Sequence, residues 1–412
     1  MGNYLSEMNS IEIFQLALQL AKPWYVSGVK FKEISIGKQE LHIEISFERG
    51  YMFEPESKVH DTQERTWRHL NFFQHECYLH CKVPRIKSLD GKVKTVEVPW
   101  ARKGSGFTLL FEAFSMALIE REMPVNKTAD LVNEYPQRIW NIFNYWIQIA
   151  YQADDQSMVT QLGIDETSVR KGHDYVTVAA DLATRRVIHV TPGKDQHTIE
   201  RIKDHLKEKG VESKAITDAC IDMSTGFIAG MMEYFPDTSV TFDKFHVVKL
   251  LNEAMDDVRK REAREHALLK GHKYTLLKST HNLSPQQKQD REELIELLPT
   301  IGKAYRLKTL FQDFWEFNIK EEGAAFLAYW CDLVEEEGLQ AFTKFVRTIK
   351  SHWSGVVNYI ESQIANGVME GINNKIQLAK RRARGYRNIT NFINMIYFIS
   401  AKLKFNYPQY ST

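Results

Sequence analysis

Cysteine is scarce in this chain, with four in 412 residues, at Cys77, Cys81, Cys220 and Cys331. So sparse and scattered a set excludes a disulfide framework and reads as reduced thiols in a cytosolic protein. An excess of charge of either sign is also missing. Lys and Arg number 54 against 53 Asp and Glu, a formal net charge of +1, so any affinity for nucleic acid must come from local clusters. No stretch approaches the roughly 18 apolar residues of a membrane span. The N-terminal stretch carries Glu7 and Glu12 without a basic lead, which does not read as a secretion signal. Repeats and low-complexity tracts are lacking too. The expectation is a soluble, cytoplasmic protein with no membrane partner. What remains is ordinary globular composition, 43% hydrophobic and 26% charged, which argues against a disordered scaffold. The length makes two to four structural units the starting expectation.

Hydrophobic periodicity divides the chain. Ile11, Phe14, Leu18 and Ala21 have helical spacing, and Leu41–Phe47 alternates as a half-buried strand does. A small, mostly β unit is expected over about 25–100, ending at the basic turn Ala101–Gly106. Residues 107–150 switch to helical period. A short helix at 126–132, a break near Asn133–Pro136 and a second helix from Gln137 form a helix-turn-helix pattern. A plain helical hairpin filling a core is the other reading of that pattern. Further on, Val159–Asp165, Tyr175–Asp181 and Val187–Val190 are strand candidates joined by polar turns. Lys214–Asp222 and Val240–Asp243 are two more, separated by the helical Ser224–Tyr234. Three hairpin-linked strands, then strand, helix, strand and helix, is the order of an RNase H-like α/β core. From about 247 to 355 the pattern predicts helix, with breaks at Leu283–Pro285, Pro299 and Gly338.

Three carboxylates stand where chemistry could use them. Asp165 follows an apolar strand, Asp222 ends another, and Glu370 lies on a late helix beyond the helical block. Strand ends near a sheet centre and one facing helix can bring such distant acids together. Hard divalent cations need oxygen ligands, and carboxylates that share them support phosphoryl transfer. An acid at a strand end is more often simply solvated. Asp218, on the same strand as Asp222, is a competing candidate, and Glu166 points away from Asp165 if the strand persists. At 100° per residue, Glu370, Asn374, Gln377, Arg381 and Arg384 share one helix face within about 40°, with Ile372, Ile376, Ala379 and Ala383 opposite to pack on the sheet. Lys375, Lys380, Arg381, Arg382, Arg384 and Arg387 run without an acid. Such a run is either a solvated face or a nucleic-acid contact.

At these residues the chain resembles the ISL-three family of insertion-sequence transposases. The resemblance is carried by VHDTQERTWRHLNFFQHECYLH (59–80), VPWARKGSGFTLLFEAF (98–114) and LGIDETSVRKGHDYVTVAADL (162–182). CIDMS (220–224), FDKFHVVKLLNEAMDDVRK (242–260) and NGVMEGINNKIQLAKRRARGYRNITNFINMIYF (366–398) complete it. It implies a zinc-ribbon-like β module over 1–104, a helix-turn-helix over 105–155, and an RNase H-like catalytic core over 156–250 and 356–412. A helical insertion at 251–355 interrupts that core. Position by position, the family's catalytic and metal-ligating triad falls on Asp165, Asp222 and Glu370, and Asp243 with His246 matches a supporting D-x-x-H element. One departure stands out. The stretches Phe53–Ser57 and Lys87–Gly91, where the family usually has cysteine pairs, hold none. A tetrahedral zinc site needs four N or S ligands, so zinc is not expected; His75, Cys77, His80 and Cys81 are an alternative set, but on a strand their side chains would face opposite ways.

The resemblance implies a DNA transposase in a prokaryotic, nucleoid-associated setting, using Mg²⁺, with Mn²⁺ as a substitute. Its partners would be double-stranded DNA and further copies of the chain. Expected DNA contacts are Arg138 and Asn141 early in the second helix of the helix-turn-helix, Lys244, and Lys380, Arg381, Arg382, Arg384 and Arg387. The competing reading is a non-catalytic inverted-repeat binding protein; an RNase H-like nuclease leaves the helix-turn-helix and insertion without a role. Tyr386 and Tyr397 lack the Arg-His-Arg setting of a tyrosine recombinase.

Overall fold

The alternation at Leu41–Phe47 becomes a strand in which Leu41, Ile43 and Ile45 are buried and His42 and Glu44 take the opposite face. The computed structural model describes residues 9–87, 91–170, 174–363 and 367–407. The chain divides into two units, Met1–Trp146 with Phe405–Thr412, and Ile147–Lys404. Among the described residues no helix is long and apolar enough to cross a membrane.

The first unit opens with α1 (Ser10–Ala17), whose Asn9 and Glu12 form a reciprocal cap. Five strands follow: β1 (Trp24–Ser35), β2 (Lys38–Phe47), β3 (Lys58–Phe72), β4 (His75–Lys87) and β5 (Val93–Thr95). Their order is β1-β2-β4-β3, with β5 added on β4, and only β2 and β4 run parallel. Trp24, Leu41, Ile43, Trp67 and Leu79 form the apolar side, and Trp100 meets the rings of Trp24 and Trp67 edge-on at 5.1 and 5.6 Å. Then come α2 (Leu109–Glu120), α3 (Val125–Leu131) and α4 (Pro136–Gln152). Asn133, at φ 54°, makes the turn between the last two. Glu112 is wholly buried yet satisfied by Arg102 Nε at 2.9 Å, Ser105 Oγ at 2.6 Å and Trp146 Nε1 at 2.8 Å. The basic turn at 101–106 thus partly serves this module's interior.

The second unit is built on β6 (Gln161–Ser168), β7 (Tyr175–Asp181), β8 (Arg186–Pro192), β9 (Asp218–Ile221) and β10 (Ser239–Phe242), in the order β10-β9-β6-β7-β8. The hairpin-linked β6, β7 and β8 pair antiparallel, while β9 and β10 add parallel to β6. Two parallel additions need crossovers, supplied by α5 (Gln196–Glu208) and α6 (Thr225–Tyr234); α7 (Lys244–Glu262) leaves β10. The helical block is α8 (Lys273–Leu277), α9 (Pro285–Leu297), α10 (Pro299–Gln312), α11 (Lys320–Glu337), α12 (Gln340–Ser351) and α13 (Trp353–Ser362). The last helices are α14 (Gly367–Ala383) and α15 (Ile389–Ser400).

Three elements differ from the sequence reading. The strand bearing Asp165 does not stop there but continues to Ser168, because β7 pairs with it along its whole length. The helix α5 has no counterpart in that reading, although Ile199, Ile202 and Leu206 are spaced for one buried stripe and Asp195 caps it. The strand expected over 214–222 shrinks to four residues, with a short 3-10 turn at Ser213–Ala215 before it.

Candidate functional site

Strand register assembles the acids. Ile164 of β6 pairs with Ile221 of β9, which pairs in turn with Phe242 of β10. The next residue on each strand is an aspartate, so Asp165, Asp222 and Asp243 stand level on three neighbouring parallel strands. Asp243 is buried and begins α7; its carboxylate accepts the backbone N–H of Phe245 at 3.0 Å and pairs with His246 Nδ1 at 2.9 Å. The other imidazole nitrogen, Nε2, lies 3.9 Å from Asp222 Oδ2. The hydrogen bond that His246 donates to Asp243 raises its pKa against the cost of burial, and the charges of Asp222, Asp243 and Asp165 add to the rise. Burial, with Asp222 and Asp243 nearby, pushes the Asp165 carboxyl up to about 6, although the Glu166 N–H and the charge of His246 oppose this.

The third expected acid, Glu370, lies on α14. Met369, Ile372 and Ile376 are its buried stripe. A side chain at Gly163 would stand 3.0 Å from Met369 Sδ, so the bare glycine lets this helix lie close on β6. Next to the stripe runs a polar ridge that follows the strand in step. Asn373 Nδ2 donates to Asp165 Oδ2 at 2.7 Å, Gln377 Nε2 to Thr167 Oγ1 at 3.2 Å, and Lys380 Nζ to the Ser168 carbonyl at 2.6 Å. Glu370 lies one turn ahead of Asn373, in the first turn of α14, and is exposed. The ridge passes through residue 373 and not 374 as the wheel centred on Glu370 implied; Asn374 is exposed. Positions i+3 and i+4 are equivalent neighbours on a helix, and packing chose between them.

The competing candidates face elsewhere. Asp218 sits at the opposite end of β9 from Asp222 and accepts from Thr217 Oγ1 at 2.7 Å. Glu166 lies 3.5 Å from Lys194 Nζ. Tyr397 is buried, its hydroxyl accepting the Val190 N–H at 2.9 Å, which is a structural position.

The donors at this site fit a hard divalent cation: carboxylate oxygens at adjacent strand ends, with Asp165 raised in pKa chiefly by burial. The acceptor Asn373 Oδ1 is buried beside Asp165 and meets no donor among the described residues. As placed, no three His, Cys, Asp or Glu side chains among the described residues are close enough together to hold an ion.

The expected DNA contacts separate into two groups. Arg381, Arg382 and Arg387 are exposed, and so is Arg384, which stands off the end of α14 at φ 56° and not on its face. Arg384 left the helix because Gly385, at φ 91°, bonds back to the Lys380 carbonyl and closes the C-terminus. Two of the lysines expected at DNA have internal partners. Lys380 is bonded to Ser168, and Lys244 has its ammonium 5.0 Å from the Trp315 ring centroid and 5.6 Å from that of Tyr359. In the helix-turn-helix, Arg138 pairs with Glu134 at 2.7 Å and lies over Phe107, while Asn141 accepts from Gln137 at 2.9 Å; both residues remain exposed.

In the β module, Cys77 and Cys81 point into the core, and burial pushes both thiols up to about 12. His80 takes the other face, where its Nε2 is 2.7 Å from His42 Nδ1. Of the two stretches empty of cysteine, Phe53–Ser57 is described, whereas Ser88, Leu89 and Asp90 of the second lie outside the described residues.

A sheet of this order carrying level aspartates, a late helix that bears Glu370 ahead of a basic end, and a helix-turn-helix are the parts expected of a protein that acts on DNA, and comparison with known proteins agrees. A family model described as a transposase matches residues 162–396. The helix-turn-helix domain of transposase family ISL3 matches 96–147, and the zinc-finger of the transposases of IS204, IS1001, IS1096 and IS1165 matches 54–87. Among curated relatives, the transposase for insertion sequence element IS1001 of Bordetella parapertussis is 26% identical over 343 residues, 80% of this chain and 83% of that protein. The transposase for insertion sequence element IS1557 of Mycobacterium tuberculosis is 28% identical over 359 residues, 79% of each chain. The chain belongs to the ISL3 family of transposases, with a helix-turn-helix and a DDE-type transposase domain. The zinc-finger match leaves the expectation of a zinc-free module without support.

Proposed function

We propose that this protein binds the terminal inverted repeats of its insertion sequence and cuts and rejoins DNA through Asp165, Asp222 and Glu370 in an RNase H-like core. The observation that carries the reading is the level placement of Asp165 and Asp222 on adjacent parallel strands, faced by the helix that bears Glu370. The order β10-β9-β6-β7-β8, with three antiparallel and two parallel strands, supports the core assignment. Asp165, Asp222 and Glu370 would hold Mg²⁺ or Mn²⁺, which when bound supplies Lewis-acid stabilisation of charge on the phosphodiester and its leaving oxygen. Asp243 and His246 orient Asp222. The imidazole is fixed on Asp243 through Nδ1 and turns Nε2 toward Asp222.

Two displacements follow, and neither needs a covalent bond between protein and DNA. Water attacks the phosphodiester at each transposon end and frees a 3′-hydroxyl. That hydroxyl then attacks a target phosphodiester, forming one P–O bond as another breaks. Arg381, Arg382, Arg384 and Arg387 contact phosphates beyond the acids. Arg138 and Asn141 read the inverted repeat from the major groove once released from their partners on the protein; Lys244 and Lys380 hold the site's own framework.

The test is cleavage of labelled DNA carrying the element's ends, with Mg²⁺ or EDTA, by wild type and Glu370→Gln. End-specific, metal-dependent nicking that disappears in the variant is expected. Specific binding with no nicking under any divalent cation would leave a non-catalytic inverted-repeat binding protein as the better reading.

A further inference from the structure

Asn373 stands one turn after Glu370 on α14. Three features of that residue belong together. Its amide donates to Asp165 at 2.7 Å, so an element far away in sequence grips the first carboxylate of the triad directly. The same helix carries Glu370 one turn earlier, so the grip links the strand of the first acid to the helix of the third. Its other amide atom, Oδ1, is buried with no hydrogen-bond donor among the described residues, a placement that costs free energy in a resting fold.

We propose that Asn373 is a positioning residue for the metal site, fixing the Asp165 carboxylate and the register of α14 so that Glu370 arrives at the site with one defined orientation. This rests on the reading of Asp165 and Glu370 as metal ligands. Asp165 has two oxygens. Oδ1 accepts the N–H of Glu166 at 2.7 Å and Oδ2 accepts the Asn373 amide, so both are held before any cation arrives. A carboxylate fixed in this way loses little freedom when it binds a cation, which is why partners behind metal ligands affect affinity so strongly. Gln377 and Lys380 continue the same ridge along Thr167 and Ser168, but they touch strand residues beyond the acid. Along that ridge, Asn373 is the member that meets a triad carboxylate. Glu370 itself is exposed, so its position depends on how α14 is seated.

The experiment uses the full chain. Mn²⁺ is titrated into wild type and Asn373→Leu and followed by electron paramagnetic resonance of the free ion. End cleavage is measured across Mg²⁺ concentration at saturating end DNA, and the Kd for end DNA is measured in EDTA. Asn373→Leu keeps roughly the side-chain volume and removes the donor. Loss of a group that orients a metal ligand typically weakens metal affinity or activity by about 10–100-fold. The expected result is Mn²⁺ affinity and cleavage lower within that range, an unchanged Kd for DNA, and partial recovery of cleavage at high metal. Asn373→Gln, which retains the amide, should fall between the two. Should the leucine variant fail to fold by circular dichroism, Asn373→Ala and Asn373→Ser carry the same comparison, because they only remove atoms.

If wild type binds Mn²⁺ and cuts, and the variants do the same with unchanged metal dependence, the positioning role is overturned while the proposed function stands. Wild type that neither binds Mn²⁺ nor cuts removes both. If wild type binds Mn²⁺ without cutting, the affinity comparison decides the role of Asn373 by itself.

Discussion

Asp222 and Asp165 are level in the sheet but differ in surroundings. Burial, above all, raises the Asp165 carboxyl to about 6, whereas Asp222 faces the imidazole of His246. On the proposed reading, removing the charge of either would remove a metal ligand and several kcal/mol of transition-state stabilisation. Asp222→Asn should therefore lower end cleavage by at least about a hundredfold, each factor of ten being about 1.4 kcal/mol. The Kd for end DNA in EDTA should not change. Cleavage at more than a tenth of the wild-type rate would remove Asp222 from the triad. The exposed arginines beyond the site call for a different measurement. An arginine on a phosphate contributes about one unit to the slope of log affinity against log salt, whatever the DNA sequence. Arg381→Ala and Arg384→Ala should each reduce that slope by about one, and an unchanged slope would remove the residue from the interface. Lys380→Ala should behave otherwise, because its ammonium already sits on the Ser168 carbonyl. Its effect belongs in stability more than in salt dependence.

At the scale of elements, the site depends on contacts made outside it. The helix α13 packs on β10 through Gly355; a Cβ there would lie 2.3 Å from the Phe242 ring, and Phe242 immediately precedes Asp243. Gly355→Ala must push that ring aside, and overpacking of this kind costs about 1–3 kcal/mol. A lower melting temperature together with impaired cleavage is expected, whereas an unchanged melting temperature would show that the ring can move freely. The helical block has its own buried joint. Lys308 Nζ donates to the carbonyls of Leu276 and Leu277 at 3.0 and 2.8 Å, satisfying the end of α8, and burial lowers its pKa to about 8. Lys308→Met fills a similar volume but leaves those carbonyls without this donor. Each unmet buried polar group costs about 1–3 kcal/mol, so chemical denaturation should show a loss of that order. A loss under about half a kcal/mol would mean water replaces the ammonium.

For the whole molecule, pH should act through buried histidines. Burial is the main cause that lowers His189 to about 3 and His205 to about 4, from 6.5. The two rings stack at 4.3 Å and share the Tyr151 hydroxyl. Because the folded values lie below the unfolded one, the unfolded chain takes up protons first as pH falls below about 6.5. The stability these groups contribute is full above that pH and is lost on the way down to pH 3–4. His246 has the opposite sign, since its folded pKa is raised. The clean measurement is therefore a difference: melting temperature should fall less between pH 7 and pH 5 in His189→Gln than in wild type. Equal falls would show that His189 is not kept neutral by the fold. Assembly belongs to the same scale. If, as proposed, two transposon ends are processed together, sedimentation with end DNA should give a complex of at least two protomers. A species of one protomer on one DNA as the only complex that cuts would contradict that.

Local pattern and motif by themselves supplied the list of parts: a β module, two helices around Asn133, five strand segments in the second unit, a helical block, and Asp165, Asp222 and Glu370 as candidate acids. Periodicity of 2 and 3.6 residues reports which face of an element is apolar, and that information is local. The amphipathic spacing of α5 was present as well and could have been read. Only the tertiary structure decided how the parts meet. Pairing with β7 carries β6 past Asp165 to Ser168, and the parallel register then sets Asp222 and Asp243 beside it. Packing of Met369, Ile372 and Ile376 turns Asn373, not Asn374, onto Asp165. The same packing sends Lys380 to a carbonyl, while contacts with Trp315 and Tyr359 take Lys244 to aromatic rings. Partners separated by 208 residues, as Asp165 and Asn373 are, leave no periodic trace in the sequence. Their meeting depends on burial and strand register across the whole unit, where a rotation of one residue on a helix changes which side chain faces the acid.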